Sequence, residues 1–422
     1  MDCRRFVNLC LCVVCTVSLL VCGSAASGGT RSAAPHWPGW RGINRDGKSP
    51  DKGLLKAWPE GGPKLIWKLK GIGKGYSSVS IAGGALYTTG QKSDNVLFMT
   101  AITPAGKVKW TVKVGPGFSR SHPGSRSTPT WDAGKLYLES GQGLVGCWDA
   151  KSGKKLWTRN LSEFDGQAGP WGYTESVLIV GDKAVVTPGG DKTCLAALDK
   201  KTGKTVWTSK PFEEANYTSP LYVEFRKIPM VVVGTARGLL AVNAKTGKTF
   251  WANRFSYGNT ANVTTPVCSN GLLFWSNGYN AGGICLKLKA SSGRISATEA
   301  WTTDKMSSHT GGYVVVDGHI YGYDDADGWT CLELVGGKRK WASDDFGKGS
   351  LCYADGMLYL YDEEDGNVAL AEASPKGLKI TGRFSVDGFG YSWAHPVVTG
   401  GKLALRYGEN LYLYDVKAPS DQ

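Results

Sequence analysis

The sequence predicts an all-β protein, an eight-bladed β-propeller with four antiparallel strands per blade and a last blade closed by an N-terminal strand near Trp67. Three observations predict it. A phrase built from an acidic or amide residue, a turn ending in Gly-Lys and a tryptophan recurs at a period near fifty residues. Apolar residues alternate in short runs broken by glycine, with almost no helical 3, 4, 7 spacing after residue 60. The final unit stops one strand short, while a lone strand pattern around Trp67 precedes the first unit.

The chain begins differently from how it continues. Arg4 and Arg5 precede an apolar run from Phe6 to Val21 and the small residues Gly23-Ser24-Ala25-Ala26. This is the charge, core and cleavage pattern of a secretory signal, with a cut after Ala26. A retained membrane anchor is the alternative, although the run is short for the ~20 residues of a span. Leu19-Leu20-Val21-Cys22 partly resembles a lipobox, which would anchor Cys22, with Val21 bulkier than that signal prefers. The expected layout is a signal peptide at 1–26, an N-terminal extension at 27–61 and the propeller at 62–418.

Each unit carries four strand patterns. Segments leading into the innermost strands fall near Tyr76, Arg126, Trp171, Tyr217, Val263, His309, Gly349 and Trp393, which makes eight. Outermost strands carry Trp110, Trp157, Trp207, Trp251, Trp301, Trp341 and Phe384. The segment Pro63-Lys-Leu-Ile-Trp67-Lys-Leu-Lys70 supplies the missing eighth and leaves no open edge. A tryptophan there is expected to fill the gap to the next blade and give its N–H to a backbone carbonyl. The glycine before lysine supplies positive φ, and the Asp or Asn opening the turn bonds backbone N–H groups two residues on.

Composition narrows the rest. Of 11 cysteines, five lie in the leader; Cys147, Cys194, Cys268, Cys285, Cys331 and Cys352 each sit alone in an apolar strand pattern. Disulfides are open to an exported chain, but buried thiols acting as small hydrophobes fit better. The net charge of +13 favours anionic surfaces, yet many lysines belong to the repeated turns, and export argues against nucleic acid.

The segments leading into the innermost strands should converge around the axis on one face. They offer Tyr76, Arg126, Trp171, Tyr217, Asn262, His309, Trp393 and His395 as candidate ligand-binding residues, suited to a flat, polar or anionic ligand. Two acidic loops, Asp324-Asp325-Ala-Asp327-Gly328 and Asp362-Glu363-Glu364-Asp365-Gly366, lie on the same face. Neither completes a calcium loop, so both are read as solvated turn carboxylates and no metal is expected. His36, His122 and His319 are read as surface or strand histidines. No Gly-x-Ser-x-Gly, His-Glu-x-x-His or phosphate loop is present, so no catalytic residue is assigned.

Ala197-Leu-Asp199-Lys-Lys-Thr-Gly203-Lys204-Thr-Val-Trp207 resembles the docking motif of the pyrroloquinoline quinone (PQQ) repeat propellers. The family includes quinone dehydrogenases and cofactor-free relatives such as the lipoprotein propeller of the outer-membrane β-barrel assembly machinery. The opening Trp37-Pro-Gly-Trp40-Arg41-Gly42-Ile-Asn44-Arg-Asp46-Gly47 is similar to the leaders of exported planctomycete-type members, and the likeness spans residues 37–416. The family's enzymes imply Ca²⁺, a general-base Asp and often a vicinal disulfide. This chain has no adjacent cysteines, no Cys-x-x-Cys-His, and no acid that the pattern aims at the axis. The resemblance therefore implies an exported, non-catalytic binding or scaffold module of the periplasm or cell envelope. It is expected to be a monomer, free of PQQ and calcium, that engages an envelope protein, a glycan or a small polar ligand, with the membrane reached only through a lipid anchor. The alternative is a PQQ/Ca-dependent alcohol or sugar dehydrogenase with a divergent site.

Overall fold

Alternating apolar residues fold into eight four-stranded antiparallel blades in a computed structural model of the chain, the seventh extended at its inner edge by the short parallel strand Lys48–Ser49. The structure describes residues 36–419, apart from 93, 94, 213, 257 and 260; the expected signal peptide at 1–26 and Cys22 lie outside the described residues. Blade 1 runs through Ser80–Ala82, Ala85–Gln91, Val96–Ile102 and Val108–Pro116, from the axis outward. Blades 2 to 7 repeat this order, ending with Gly349–Ala354, Met357–Asp362, Asn367–Glu372 and Ile380–Ser385.

Blade 8 closes as the sequence predicts. Val397–Thr399, Lys402–Tyr407 and Asn410–Asp415 are completed by Lys64–Leu69, which pairs antiparallel with Asn410–Asp415 and sets Trp67 opposite Leu413. Lys64–Leu69 from near the start of the ring and Asn410–Asp415 from its end thus share a sheet, which locks the ring closed.

The repeated phrase is a docking device between blades. Trp67, Trp110, Trp157, Trp207, Trp301 and Trp341 donate Nε1–H to the carbonyls of Pro104, Ala150, Lys200, Ala244, Leu334 and Ser374 respectively, each on the following blade. The turn aspartate works as expected: Asp199 Oδ1 accepts from the backbone N–H of Thr202 at 2.8 Å and of Lys201 at 3.1 Å. Opposite the tryptophans stand small residues, including Ala101, Cys147, Ala197, Cys285 and Cys331. Cys147, Cys268, Cys285, Cys331 and Cys352 are free thiols, and Cys194 is buried in blade 3. Cys147, Cys285 and Cys331 serve as small hydrophobes that leave room for the indole opposite.

Trp251 is the exception, with no acceptor for its Nε1–H among the described residues. The outer hairpin of blade 5, Gly282–Ser291 and Arg294–Thr303, is ten residues a side, so its turn projects past the docking site. A Cβ on its turn glycine, Gly293, would touch nothing within 4 Å, whereas Gly203 lies against Trp157.

Gly203 makes two demands at once. Its φ is +73°, and a Cβ there would come within 2.7 Å of the Trp157 ring. Left-handed backbone costs an L-residue about 1–2 kcal/mol before any clash is counted. Gly203→Ala is therefore expected to lower unfolding stability by about 2 kcal/mol. Urea denaturation reads this directly, and an unchanged midpoint refutes the docking account.

Candidate functional site

The 36–61 segment does more than precede the ring. Trp37 bridges to Ile81 of blade 1, and Trp131 N–H of blade 2 donates to Pro38 O. Lys48–Ser49 then pairs parallel with the innermost strand of blade 7. Between these points the chain crosses the axis, and its side chains reach the remaining blades. Trp40 Nε1 donates to Thr265 Oγ1 at 2.9 Å and its ring lies 4.5 Å from that of His395. Arg41 donates to Tyr313 O of blade 6, and Arg45 to Ser176 O and Pro220 O, both at 2.9 Å, and to Val177 O. Burial lowers the pKa of Arg45 to about 10, so it stays charged at neutral pH. The segment is a plug that makes the axial channel blind.

Above the plug lies a cavity of about 440 Å³. It is lined by seven of the eight residues predicted from sequence, Tyr76, Arg126, Trp171, Tyr217, His309, Trp393 and His395. Asn262 differs. It is fully buried, its amide donating to Thr235 O and Ser256 O, so it pins its loop while Ala261 and Val263 face the cavity.

One wall is aromatic. Trp393 stacks on Tyr391 at 4.6 Å with planes 5° apart, meets Tyr76 at 4.7 Å, and takes the edge of His122 at 5.0 Å. Trp171 and Tyr217 meet edge to face at 5.4 Å. Arg126 sits over Phe118 at 4.0 Å and donates to the carbonyls of Trp171, Gly124, Ser121 and His122. Its guanidinium therefore frames the wall, with burial lowering its pKa to about 10.

The opposite wall is charged. Lys348 lies 2.8 Å from Asp325 and 3.7 Å from Glu363, whose Oε2 accepts from Thr310 Oγ1 at 2.7 Å. His309 stands between this wall and Tyr279, 4.9 Å away. Burial, then the Lys348 charge, pulls its pKa down to about 4. Burial and Arg41 bring His395 to about 3, so both imidazoles are neutral near pH 7.

The acidic loops depart from the solvated reading. Asp324 is fully buried, its Oδ2 accepting from Asp327 N–H at 2.9 Å, and Asp362 accepts from Glu364 and Asp365 N–H. Their first carboxylates hold loop backbone, while Asp325 and Glu363 reach the cavity. His122, read as a surface residue, lines the cavity mouth too. Sequence reasoning also missed Trp40, Arg41 and Lys348, because the plug and the two loops meet only through closure of the ring. Glu175, on the segment leading into blade 3, turns from the cavity onto Glu139 of blade 2.

The donor set does not fit the calcium of quinone enzymes. Such an ion needs several free oxygen ligands. Here Asp325 and Glu363 are spent on Lys348 and Thr310, and the described residues hold no cluster of three His, Cys, Asp or Glu suited to a metal.

A closed eight-bladed ring docked by Asp-x-x-x-Gly-Lys-x-x-Trp turns around a plugged axial pocket is a PQQ-repeat propeller. Within that class, residues 93–343 match the family described as outer membrane protein assembly factor BamB, and the chain belongs to it. Outer membrane protein assembly factor BamB of Yersinia pestis is 24% identical over 285 residues, covering 62% of this chain and 67% of its own length. The factor of Moranella endobia (strain PCIT) is 25% identical over 276 residues, with 62% and 68% covered. Among solved structures, BamB from Moraxella catarrhalis superposes with a TM-score of 0.61 at 15% identity, over 84% of this chain and 99% of that one. Quinohemoprotein alcohol dehydrogenase from Comamonas testosteroni gives 0.64 at 14% identity, over 92% and 81%. Likeness at these identities shows the fold alone.

Proposed function

We propose that the protein is a non-catalytic binding or scaffold module of the cell envelope, exported by its leader and engaging its partner through the face onto which the axial pocket opens. The observation that carries this reading is the plugged pocket itself. Aromatic side chains and a paired charged wall converge there from all around the ring, on a scaffold belonging to an assembly-factor family. A segment of an envelope protein or the end of a glycan suits such a pocket, since aromatic anchors in desolvated recesses carry most interface energy. The module acts without PQQ or calcium, in keeping with pocket carboxylates already committed to Lys348 and Thr310 and with histidines held neutral.

The reading is tested by capture from solubilised envelopes. The wild-type chain is expected to retain a partner that Trp393→Ala loses, while Leu156→Ala on the outer rim behaves as wild type. Equal capture by all three refutes the axial face as the binding face. Reconstitution with PQQ and calcium followed by a dye-linked alcohol assay is expected to give no turnover; activity there overturns the non-catalytic reading.

A further inference from the structure

The net charge of +13 plays no part in the pocket, and the fold gathers much of it on another surface. Blades 1 to 7 each turn twice at the end away from the pocket, between the first and second strands and between the third and fourth. Backbone bonds tie the two turns together, as from Ala150 N–H to Gly134 O and from Lys200 N–H to Asp182 O, both at 2.9 Å. The docking turns of blades 2, 3 and 4 therefore stand side by side on this base, with Trp157 donating to Lys200 O at 3.1 Å and Trp207 to Ala244 O at 3.2 Å. Each of these turns carries a lysine two and five residues after its opening Asp or Asn: Lys151 and Lys154, Lys201 and Lys204, Lys245 and Lys248. All six are exposed.

The fold leaves these charges unanswered. Carboxylates of the same surface are already engaged, Asp149 with Lys135, Asp182 with Lys183 and Asp132 with Lys200, and none pairs with any of the six lysines among the described residues. Asp199 is turned onto the backbone N–H and hydroxyl of Thr202, and blade 4 has the neutral Asn243 in its place. Nor does docking require the lysines. The blade 7 turn, Ser374-Pro-Lys-Gly377, accepts Trp341 Nε1–H at 2.8 Å without that pattern. The acidic loops at 324–327 and 362–365 lie at the other end, on the pocket face. A contiguous arc of one sign raises a local potential that favours an anionic partner.

Two further observations choose that partner. At the foot of the outermost strands Leu156 and Val206 are 44% and 48% exposed, each two residues from a docking lysine, Lys154 and Lys204. Aliphatic groups set among lysines suit a lipid headgroup layer, which takes the charge at its phosphates and the side chains just beneath. A soluble polyanion offers charge alone. The chain also enters the ring on this base. His36 N–H donates to Thr399 Oγ1 at 3.0 Å beside the Gly400-Gly401 turn of blade 8, and Trp37 bridges to Ile81 beside the matching turn of blade 1. An anchor carried by the preceding residues, such as a lipid on Cys22, would hold this same surface to a bilayer. We propose that the base of blades 2–4 docks on an anionic phospholipid surface, with headgroup phosphates answering the turn lysines. The axial pocket then faces away from the membrane, and the membrane is reached by charge as well as by any anchor.

Full-length protein is floated with vesicles of phosphatidylcholine alone and of phosphatidylcholine with an equal part of phosphatidylglycerol, at low and at physiological ionic strength. Neutral vesicles read whatever the apolar leader contributes, so the excess on anionic vesicles reports the base. That excess is expected to be large at low salt and to shrink as salt screens it. Lys201→Gln with Lys204→Gln is expected to weaken anionic binding about fivefold for each lysine removed, while Lys201→Arg with Lys204→Arg keeps it. Leu156→Ser with Val206→Ser is expected to lower it severalfold. These side chains are exposed, so each variant should keep the wild-type melting transition; Lys245→Gln with Lys248→Gln repeats the test on blade 4 should the blade 3 pair fail to fold. Equal binding to neutral and anionic vesicles, or binding unchanged in both glutamine pairs, overturns the proposal. Heparin or duplex DNA binding more tightly than anionic vesicles, or vesicle binding unchanged by Leu156→Ser with Val206→Ser, overturns the bilayer as the partner in favour of a soluble polyanion.

Discussion

Arg45→Met is expected to lower the unfolding free energy by about 3–5 kcal/mol, the cost of removing one member of a buried charged network. The side chain is 5% exposed and joins the plug to blades 3 and 4 through the carbonyls of Ser176, Val177 and Pro220. Two effects compete. Methionine avoids the desolvation that lowers the pKa of Arg45, and a hydrophobic replacement of a whole buried pair can be neutral. Here only one side of the network is replaced. Three carbonyls lose their donor at about 1–3 kcal/mol for each left unsatisfied, and Glu175 loses the positive charge that opposes its burial. The unfavourable side wins. Urea denaturation of both proteins at pH 7 measures the difference, and a loss under 1 kcal/mol would show that the plug is not held by this residue.

That result bears on what the sequence disclosed. The ring was legible because each blade writes its own docking signal locally: Asp199, Gly203 and Trp207 fall within nine residues, and their geometry follows from turn chemistry. The closing strand at Trp67 was legible for the same reason. Seven cavity residues could be named because propeller topology brings every innermost strand to the axis. Asn262 could not be told from its neighbours, since rotation of one residue decides which side chain faces the cavity. The plug was hidden for a different reason. Arg41 and Arg45 reach the blades through backbone carbonyls more than 100 residues away, and carbonyls leave no trace in side-chain identity. The recurrent register shift just before the docking tryptophan, as between Lys155 and Trp157, was equally silent; it turns Leu156 and Val206 outward despite their apolar character.

Glu139→Gln is expected to stabilise the protein at alkaline pH by about 1–3 kcal/mol, the scale of an uncompensated buried polar group. Glu139 and Glu175 meet between blades 2 and 3, both almost fully buried. Around them stand Arg45, the phenol of Tyr173, and Thr187, whose backbone N–H donates to Glu175 Oε1 at 2.8 Å. Burial, then repulsion by Glu175, raises the pKa of Glu139 well above its ordinary 4.5; burial also raises Glu175, opposed by its hydrogen bonds and by Arg45. The folded state therefore binds more protons than the unfolded chain above pH 4.5. The pair's stabilisation is complete below that pH and is lost as pH rises through the raised folded values, the reverse of an ion-paired carboxylate such as Asp149, whose pKa is lowered by Lys135 and Ser152. Glutamine supplies a permanent N–H donor to Glu175 and cannot ionise, so the variant should show a flatter stability profile between pH 5 and 9 and cross above wild type as pH increases. Parallel profiles across that range would mean that the two carboxyl groups do not share a proton, and that the seam between blades 2 and 3 is insensitive to pH.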